Sequence, residues 1–154
     1  MIMTLQSIKN VVLTELNGDA EEIRRVVDIW YLASIKCHHF VSESFWHSCK
    51  EDMMNIYIPG AETVVAKYND EIVGFISLVD NILASIFVHP DFQGKGIGKK
   101  LLFDAFGKRS DLVLNVYSKN KLARDFYKMN GFVEEKEGVD EHTGELEITM
   151  KWNG

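Results

Sequence analysis

Proline is scarce in this chain. Pro59 and Pro90 are the only two in 154 residues, and apolar and aromatic residues are spread from end to end, so no segment reads as a linker or a disordered tract. Cysteine is equally sparse: Cys37 and Cys49 fit no C-x-x-C spacing, which argues against a zinc ribbon or a dithiol redox site and leaves two small buried hydrophobes. No stretch approaches the roughly 20 apolar residues that cross a bilayer, and residues 1–16 carry neither a long apolar core nor a small-residue cleavage site. A cytoplasmic protein without a membrane partner is expected. Runs of five or six Lys or Arg are also missing, and the net charge is −6, so no electrostatic footprint for nucleic acid exists. The same mild acidity tolerates a cationic amine substrate. No internal repeat is visible.

With 46% of its residues apolar, a chain of this size can bury a core without disulfides or metal, and one domain over residues 1–154 is expected. Val11 to Leu16 reads as a strand, and Asn17-Gly18-Asp19 as a turn with Asp19 as a helix N-cap. Apolar residues then recur at helical spacing through Ile23, Val26, Val27, Trp30 and Tyr31 to about Cys37. Ser42 or Ser44 caps a second predicted helix through Phe45, Cys49, Met53 and Ile56, closed by Pro59-Gly60. The period then changes. Glu62–Tyr68 and Glu71–Leu78 are strands joined by the hairpin signal Asn69-Asp70, and Asp80-Asn81 turns the chain into Ile82–Val88. That third run is apolar almost throughout, which predicts a central strand covered on both faces. A helix from Ile97 to about Phe106, a strand Leu112–Tyr117, a helix Asn120–Met129 with Leu122, Ala123, Phe126 and Tyr127 on one face, and strands 132–137 and 145–152 complete the chain. The predicted order is β-α-α-β-β-β-α-β-α-β-β, a mixed α/β fold.

Between the third strand and the next helix stands Gln93-Gly94-Lys95-Gly96-Ile97-Gly98. Three glycines at alternate positions let the backbone turn tightly and gather N–H groups into an anion-binding nest, to which the helix N-terminus adds its dipole. Lys95, Lys99 and Lys100 supplement the charge from the rim. Two other phosphate signatures fail on spacing. A P-loop read from Gly94 needs glycine where Lys99 stands, and a dinucleotide fingerprint needs it at Lys99 or Leu101.

The run from Ile86 to Leu102, with Gln93, Gly96 and Gly98 as its core, resembles the acetyl-CoA motif Q/R-x-x-G-x-G/A of the GNAT superfamily of N-acetyltransferases. Asn120-Lys121-Leu122-Ala123-Arg124-Asp125-Phe126-Tyr127 and the following Gly131-Phe132 resemble its second signature, N-x-x-A-x-x-F-Y-x-x-x-G-F. The His38-x-Phe40 segment, Trp46 and residues 57–62 further resemble a group of small bacterial acetyltransferases, some acting on protein lysines. The resemblance implies a GNAT-like fold whose central sheet splays to admit the pantetheine arm of acetyl-CoA as an extra strand. It implies backbone contacts to that arm from Ile86, Phe87 and Val88, and a pyrophosphate on the N–H groups of Gly94, Lys95, Gly96, Ile97, Gly98 and Lys99. Asn120 bonds the arm in this scheme, and Ala123 and Phe126 pack on it.

Acetyl transfer from a thioester to an amine needs a neutral amine, stabilisation of the developing oxyanion and a proton for the departing thiolate. Tyr127 is the implied proton donor, since a phenol of pKa about 10 is close to an alkyl thiol in acidity. The Val88 N–H is the implied oxyanion donor. For the base, Glu43, Asp80, His38, His39 and an ordered water remain open. No metal is expected, because the adjacent His38 and His39 point in different directions and lack companion ligands. His38, Phe40, Trp46 and Phe75 are expected to line the acceptor pocket, with Tyr57 a further aromatic wall; Ser85 and Asn115 fall on the strands that bracket the cofactor. The acceptor, a small-molecule amine or a protein lysine, stays open, as does the choice between monomer and homodimer. An enzyme working through a ternary complex is the main expectation. A CoA-holding regulatory module is the alternative, and a toxin acting on aminoacyl-tRNA is disfavoured by the missing basic patch.

Overall fold

A computed structural model describes residues 10–154. The first nine residues, part of the stretch read for a targeting signal, lie outside the described residues. Asp19 caps α1 (Ala20–Cys37) as its side chain accepts the Glu22 N–H, and Val26, Val27, Ile29, Trp30 and Ala33 form the buried face that the helical spacing implied. The second predicted helix is broken into pieces. Ser42 caps α2 (Glu43–Ser48), a single turn α3 (Lys50–Asp52) follows, and Met53–Tyr57 widens into a π-helical turn. There the Ile58 N–H reaches back to Met53 O at 3.0 Å, and Pro59, which has no N–H to give, ends the run.

Seven strands form one sheet in the order β1-β2-β3-β4-β5-β7-β6. They are β1 (Val11–Glu15), β2 (Glu62–Tyr68), β3 (Glu71–Val79), β4 (Ile82–Val88), β5 (Asp111–Tyr117), β6 (Val133–Val139) and β7 (Leu146–Asn153). Asn69 and Asp70 both take positive φ, 50° and 65°, the conformation a tight two-residue hairpin demands. Neighbours run antiparallel except β4 and β5. On one face α1, α2 and the π turn enclose Trp30, Trp46, Met53, Val65 and Phe75. On the other, α4 (Ile97–Phe106) and α5 (Lys121–Met129) cover Val64, Ile76, Leu114, Ile148 and Met150.

Two expectations change. The strand covered on both faces is β3, buried without interruption from Ile72 to Leu78, whereas β4 is half open, with Ile82 and Ala84 exposed. Leu122 leaves the apolar face of α5 and stands 86% exposed. The sheet is also split beside β4. The parallel ladder between β4 and β5 holds only at Ile82 and Val113, with the Val113 N–H on Asn81 O at 2.9 Å. Beyond it the two strands diverge.

Candidate active site

The divergence leaves the outer edge of β4 without a partner strand. The His89 N–H bonds Val73 O at 2.8 Å in register with the β3–β4 ladder. Antiparallel alternation then directs Phe87 toward β3 and turns the N–H and C=O of Ile86 and Val88 into the gap. Gln93 straps this edge: its Nε2 donates to Val88 O at 3.0 Å while its Oε1 accepts from Lys36 Nζ at 3.1 Å. The chain then enters α4 through Gly94 and Gly96, both left-handed at φ 76° and 86°. With Gly96 as N-cap, the N–H groups of Ile97, Gly98 and Lys99 have no partner within the helix.

These parts surround a groove of about 460 Å³. Ile86, Phe87, Val88, Gln93, Gly94, Gly96, Ile97, Gly98, Lys99, Asn120, Ala123, Phe126 and Tyr127 all line it. Lys95 does not, and lies on a smaller hollow outside the loop with Lys100 and Val11. Unpaired strand edge at one end and free helix N–H groups at the other suit an extended thioester carrier ending in a pyrophosphate. Glycine at 94 and 96 is required by the left-handed backbone, and a β-carbon at Gly98 would come within 3.6 Å of Phe126.

A second cavity of about 200 Å³ opens on the other side of the splay, between β4, β5 and β7, lined by His38, Ser85, Asn115, Tyr117, Glu147 and others. Ile86, Phe87 and Tyr127 belong to both spaces. Tyr127 is 8% exposed, and burial, followed by the neighbouring Cys37 thiol, raises its pKa. It remains a phenol at neutral pH. The acidity match with a thiol holds for solvated groups; in the cleft, burial shifts both partners in the same direction. Cys37 also lines the groove, and burial pushes its thiol up to about 11.

The aromatic residues expected at an acceptor pocket divide. His38 lines the smaller cavity, its ring centroid 5.0 Å from Tyr117. Phe40 and Trp46 pack behind it, 5.7 Å and 5.3 Å from its ring, and Trp46 is buried. Phe75 is the clear correction. It is 0% exposed, pointing from β3 into the α1 side of the core with Phe87 at 6.0 Å, because alternation on a strand buried on both faces leaves it no solvent side. Tyr57 is 60% exposed.

Among the bases left open by sequence, His38 is depressed to about 4 by burial, and its Nε2 is occupied by Asn120 Nδ2 at 3.1 Å. Glu43 accepts from Tyr31 Oη at 2.8 Å. Asp80 occupies the β3–β4 turn with Arg109 Nε on its carbonyl at 2.7 Å. His39 is exposed. Sequence reasoning passed over Glu147, Tyr117 and Cys37. Among the described residues no cluster of His, Cys, Asp or Glu could hold a metal, and no helix is long and apolar enough to cross a membrane.

Both the sequence and the fold have relatives among known proteins. A family profile described as an acetyltransferase (GNAT) domain matches residues 20–153. The peptidyl-lysine N-acetyltransferase YiaC of Escherichia coli strain K12 is 30% identical over 112 residues, 72% of this chain and 77% of that protein. The peptidyl-lysine N-acetyltransferase YjaB of the same strain is 33% identical over 113 residues, 73% and 76% of the two chains. The solution structure of apo YjaB from Escherichia coli superposes with a TM-score of 0.81 at 26% identity, covering 94% of this chain and 98% of that one. A Thermoplasma acidophilum PaiA N-acetyltransferase, solved in complex with coenzyme A, shares the fold at a TM-score of 0.76 and 20% identity, covering 94% and 99%.

Proposed function

The chain belongs to the GNAT family of acetyl-CoA-dependent N-acetyltransferases, and from that premise we propose that it acetylates a primary amine, with a protein lysine as the favoured acceptor. The observation that carries this reading is the position of Tyr127, together with Ile86 and Phe87, in the wall between the long groove and the smaller cavity. A thioester lying in the groove and an amine entering from the cavity meet there, so direct transfer in a ternary complex is the economical route. The names of YiaC and YjaB favour lysine over a free small amine, and a narrow cavity suits a side chain more than a bulky molecule.

The residues divide the work by chemistry. Ile86 offers its N–H and C=O and Val88 its N–H along the open strand edge, the Val88 carbonyl being taken by Gln93, and Asn120 keeps one amide hydrogen beyond its bond to His38. Gly94 to Lys99 offer the anion nest, with Lys99 on its rim. Acetyl-CoA supplies the activated acyl group; the Val88 N–H, turned into the gap beside β4, is the donor assigned to the charge developing on the carbonyl oxygen. Tyr127, kept protonated by burial, hands its proton to the departing sulfur. Ala123 and Phe126 exclude water from the groove. The free thiols of Cys37 and Cys49 fit a reducing, cytoplasmic setting.

The test is thiol release from acetyl-CoA with lysine peptides and a panel of small amines, with product masses read in parallel. Lysine peptides should be acetylated, and Tyr127→Phe should lower kcat by about 10²-fold or more while CoA still binds. Tight CoA binding without acetylation of any amine leaves the regulatory-module reading instead.

A further inference from the structure

We propose that Glu147 is the group that receives the acceptor's proton and the anion that holds the acceptor's ammonium in the smaller cavity; the proposal rests on the acetyltransferase reading above. Glu147 lies on β7, directly opposite Tyr117 of β5, and lines the cavity that also holds Tyr127, Ser85 and Asn115. The β5–β7 register, unbroken from Asp111 to Tyr117, fixes this placement on two interior strands of the sheet.

Among the described residues Glu147 is the one carboxylate that lines the smaller cavity, and it takes part in none of the ion pairs that hold many of the others. Glu22 pairs with Lys67, Glu62 with Arg109 and Lys108, Glu134 with Arg124 and Lys128, and Glu145 with Lys119. Asp140, in the turn before β7, accepts from Tyr117 Oη at 2.6 Å, from the His142 N–H at 3.0 Å and from Thr143 Oγ1 at 3.2 Å. Glu147 is half-buried, and the influences on its carboxyl are burial first and the charge of Asp140 second, both raising its pKa. Lys136 of β6, two residues from its partner Gly138, shares its face, and the Lys119–Glu145 pair flanks it. Burial pushes Tyr117 up and His38 down, so both stay neutral beside it, as does Tyr127. A carboxylate left uncompensated in a cavity wall is a place for a cation.

The chemistry calls for such a group. A lysine of pKa about 10.4 arrives as an ammonium and has no lone pair to give until it loses a proton. One N–H bond breaks and its proton goes to a Glu147 carboxylate oxygen. The freed lone pair bonds to the acetyl carbon as the carbon–sulfur bond breaks. Sulfur leaves with that electron pair and takes the Tyr127 phenolic proton, and the second nitrogen proton restores the phenol. Glu147 then releases its proton to solvent, so one amide, one thiol and one proton appear for each ammonium and thioester consumed. A carboxyl raised above its ordinary value is a stronger base for this step than an exposed one.

The deciding variant is Glu147→Gln, which removes an unpaired charge at nearly constant shape and is expected to melt no lower than wild type. With an alkylamine or lysine peptide at pH 7 its kcat/KM should fall by about 10²-fold. That loss should shrink at least tenfold as the pH approaches 10, or with an amine whose conjugate acid has a pKa below 7, because these acceptors arrive already neutral. The rise of wild-type kcat/KM with pH should lie above the usual carboxylate range and vanish in the variant, and Glu147→Asp should recover part of the rate. Independently of turnover, the side-chain carboxyl carbon of Glu147, followed by NMR in the protein alone, should titrate above an ordinary glutamate and shift downward on adding propylammonium. An equal loss at every pH and with every amine, or no loss, overturns the proposal, as does an ordinary titration unmoved by propylammonium. If wild type acetylates no amine at all, the acetyltransferase reading itself falls, an outcome distinct from the others.

Discussion

Asn120 and His38, 82 positions apart in the chain, meet through a 3.1 Å hydrogen bond from Nδ2 to Nε2. Its direction is fixed by the helix cap, because Asn120 Oδ1 already accepts the Ala123 N–H at 3.2 Å. The amide therefore turns its nitrogen to the imidazole, which must offer a lone pair and carry its own proton on Nδ1. That Nδ1 is buried without a partner. The bond joins the C-terminal end of α1 to the start of α5, two walls of one cleft.

A neutral, buried His38 makes stability depend on pH. An ordinary imidazole titrates at 6.5, and burial takes His38 to about 4. The unfolded chain then binds the proton more readily than the folded one, so this stability is whole above pH 6.5 and is lost as the pH falls through about 4. The full effect approaches about 3 kcal/mol. Melting curves between pH 7 and 4 should fall more steeply for wild type than for His38→Phe, which keeps the aromatic packing but cannot titrate. Parallel curves would contradict it.

The glycine loop predicts a split between stability and binding. Gly96 sits at φ 86° as the N-cap of α4, where a β-carbon adds strain of roughly 1–2 kcal/mol. Gly96→Val should lower the melting temperature modestly. Its affinity for CoA, measured by calorimetric titration, should fall at least tenfold, because escaping the strain redirects the N–H groups of the nest.

Local signals carried much of the fold. The Asp19 cap, the Asn69–Asp70 hairpin and the seven strands each rest on residues that are neighbours in sequence, and the loop from Gln93 to Gly98 announces itself by glycine spacing. Misreadings arose where partners are distant. Ile82 to Val88 is apolar enough to be covered on both faces, yet hydropathy records only that a surface avoids water. It does not say whether protein or a bound carrier covers it. Glu147 reads as one more charge in an alternating strand until the β5–β7 register sets it against Tyr117. Likewise no local pattern tells that Asn120 reaches back to His38.

Cys37 should be a sluggish thiol despite lining the groove. With its pKa raised from 9.0 to about 11, its thiolate fraction at pH 7 is about 100-fold below that of an ordinary cysteine. Maleimide labelling followed by peptide mapping should find Cys37 modified slowly, with a rate that climbs about tenfold per pH unit and drops when CoA is added. Rapid labelling of Cys37 at pH 7 would show that burial does not govern it.

Phe75 offers the sharpest contrast between a pocket residue and a core residue. It packs against Phe87 of β4 within the cluster that includes Trp30, Trp46 and Val65, and none of its surface reaches solvent. An acceptor-pocket aromatic, when truncated, raises KM for some amines and spares others while the fold holds. A buried one acts through the whole molecule. Phe75→Ala should lose about 3–5 kcal/mol to lost contacts and a residual cavity, read by urea denaturation, while Phe75→Leu should lose much less. Because Phe87 belongs to β4, whose edge borders both cavities, any loss of activity in Phe75→Leu should fall equally on every amine in the panel. A change in the ranking of acceptors would return Phe75 to the pocket.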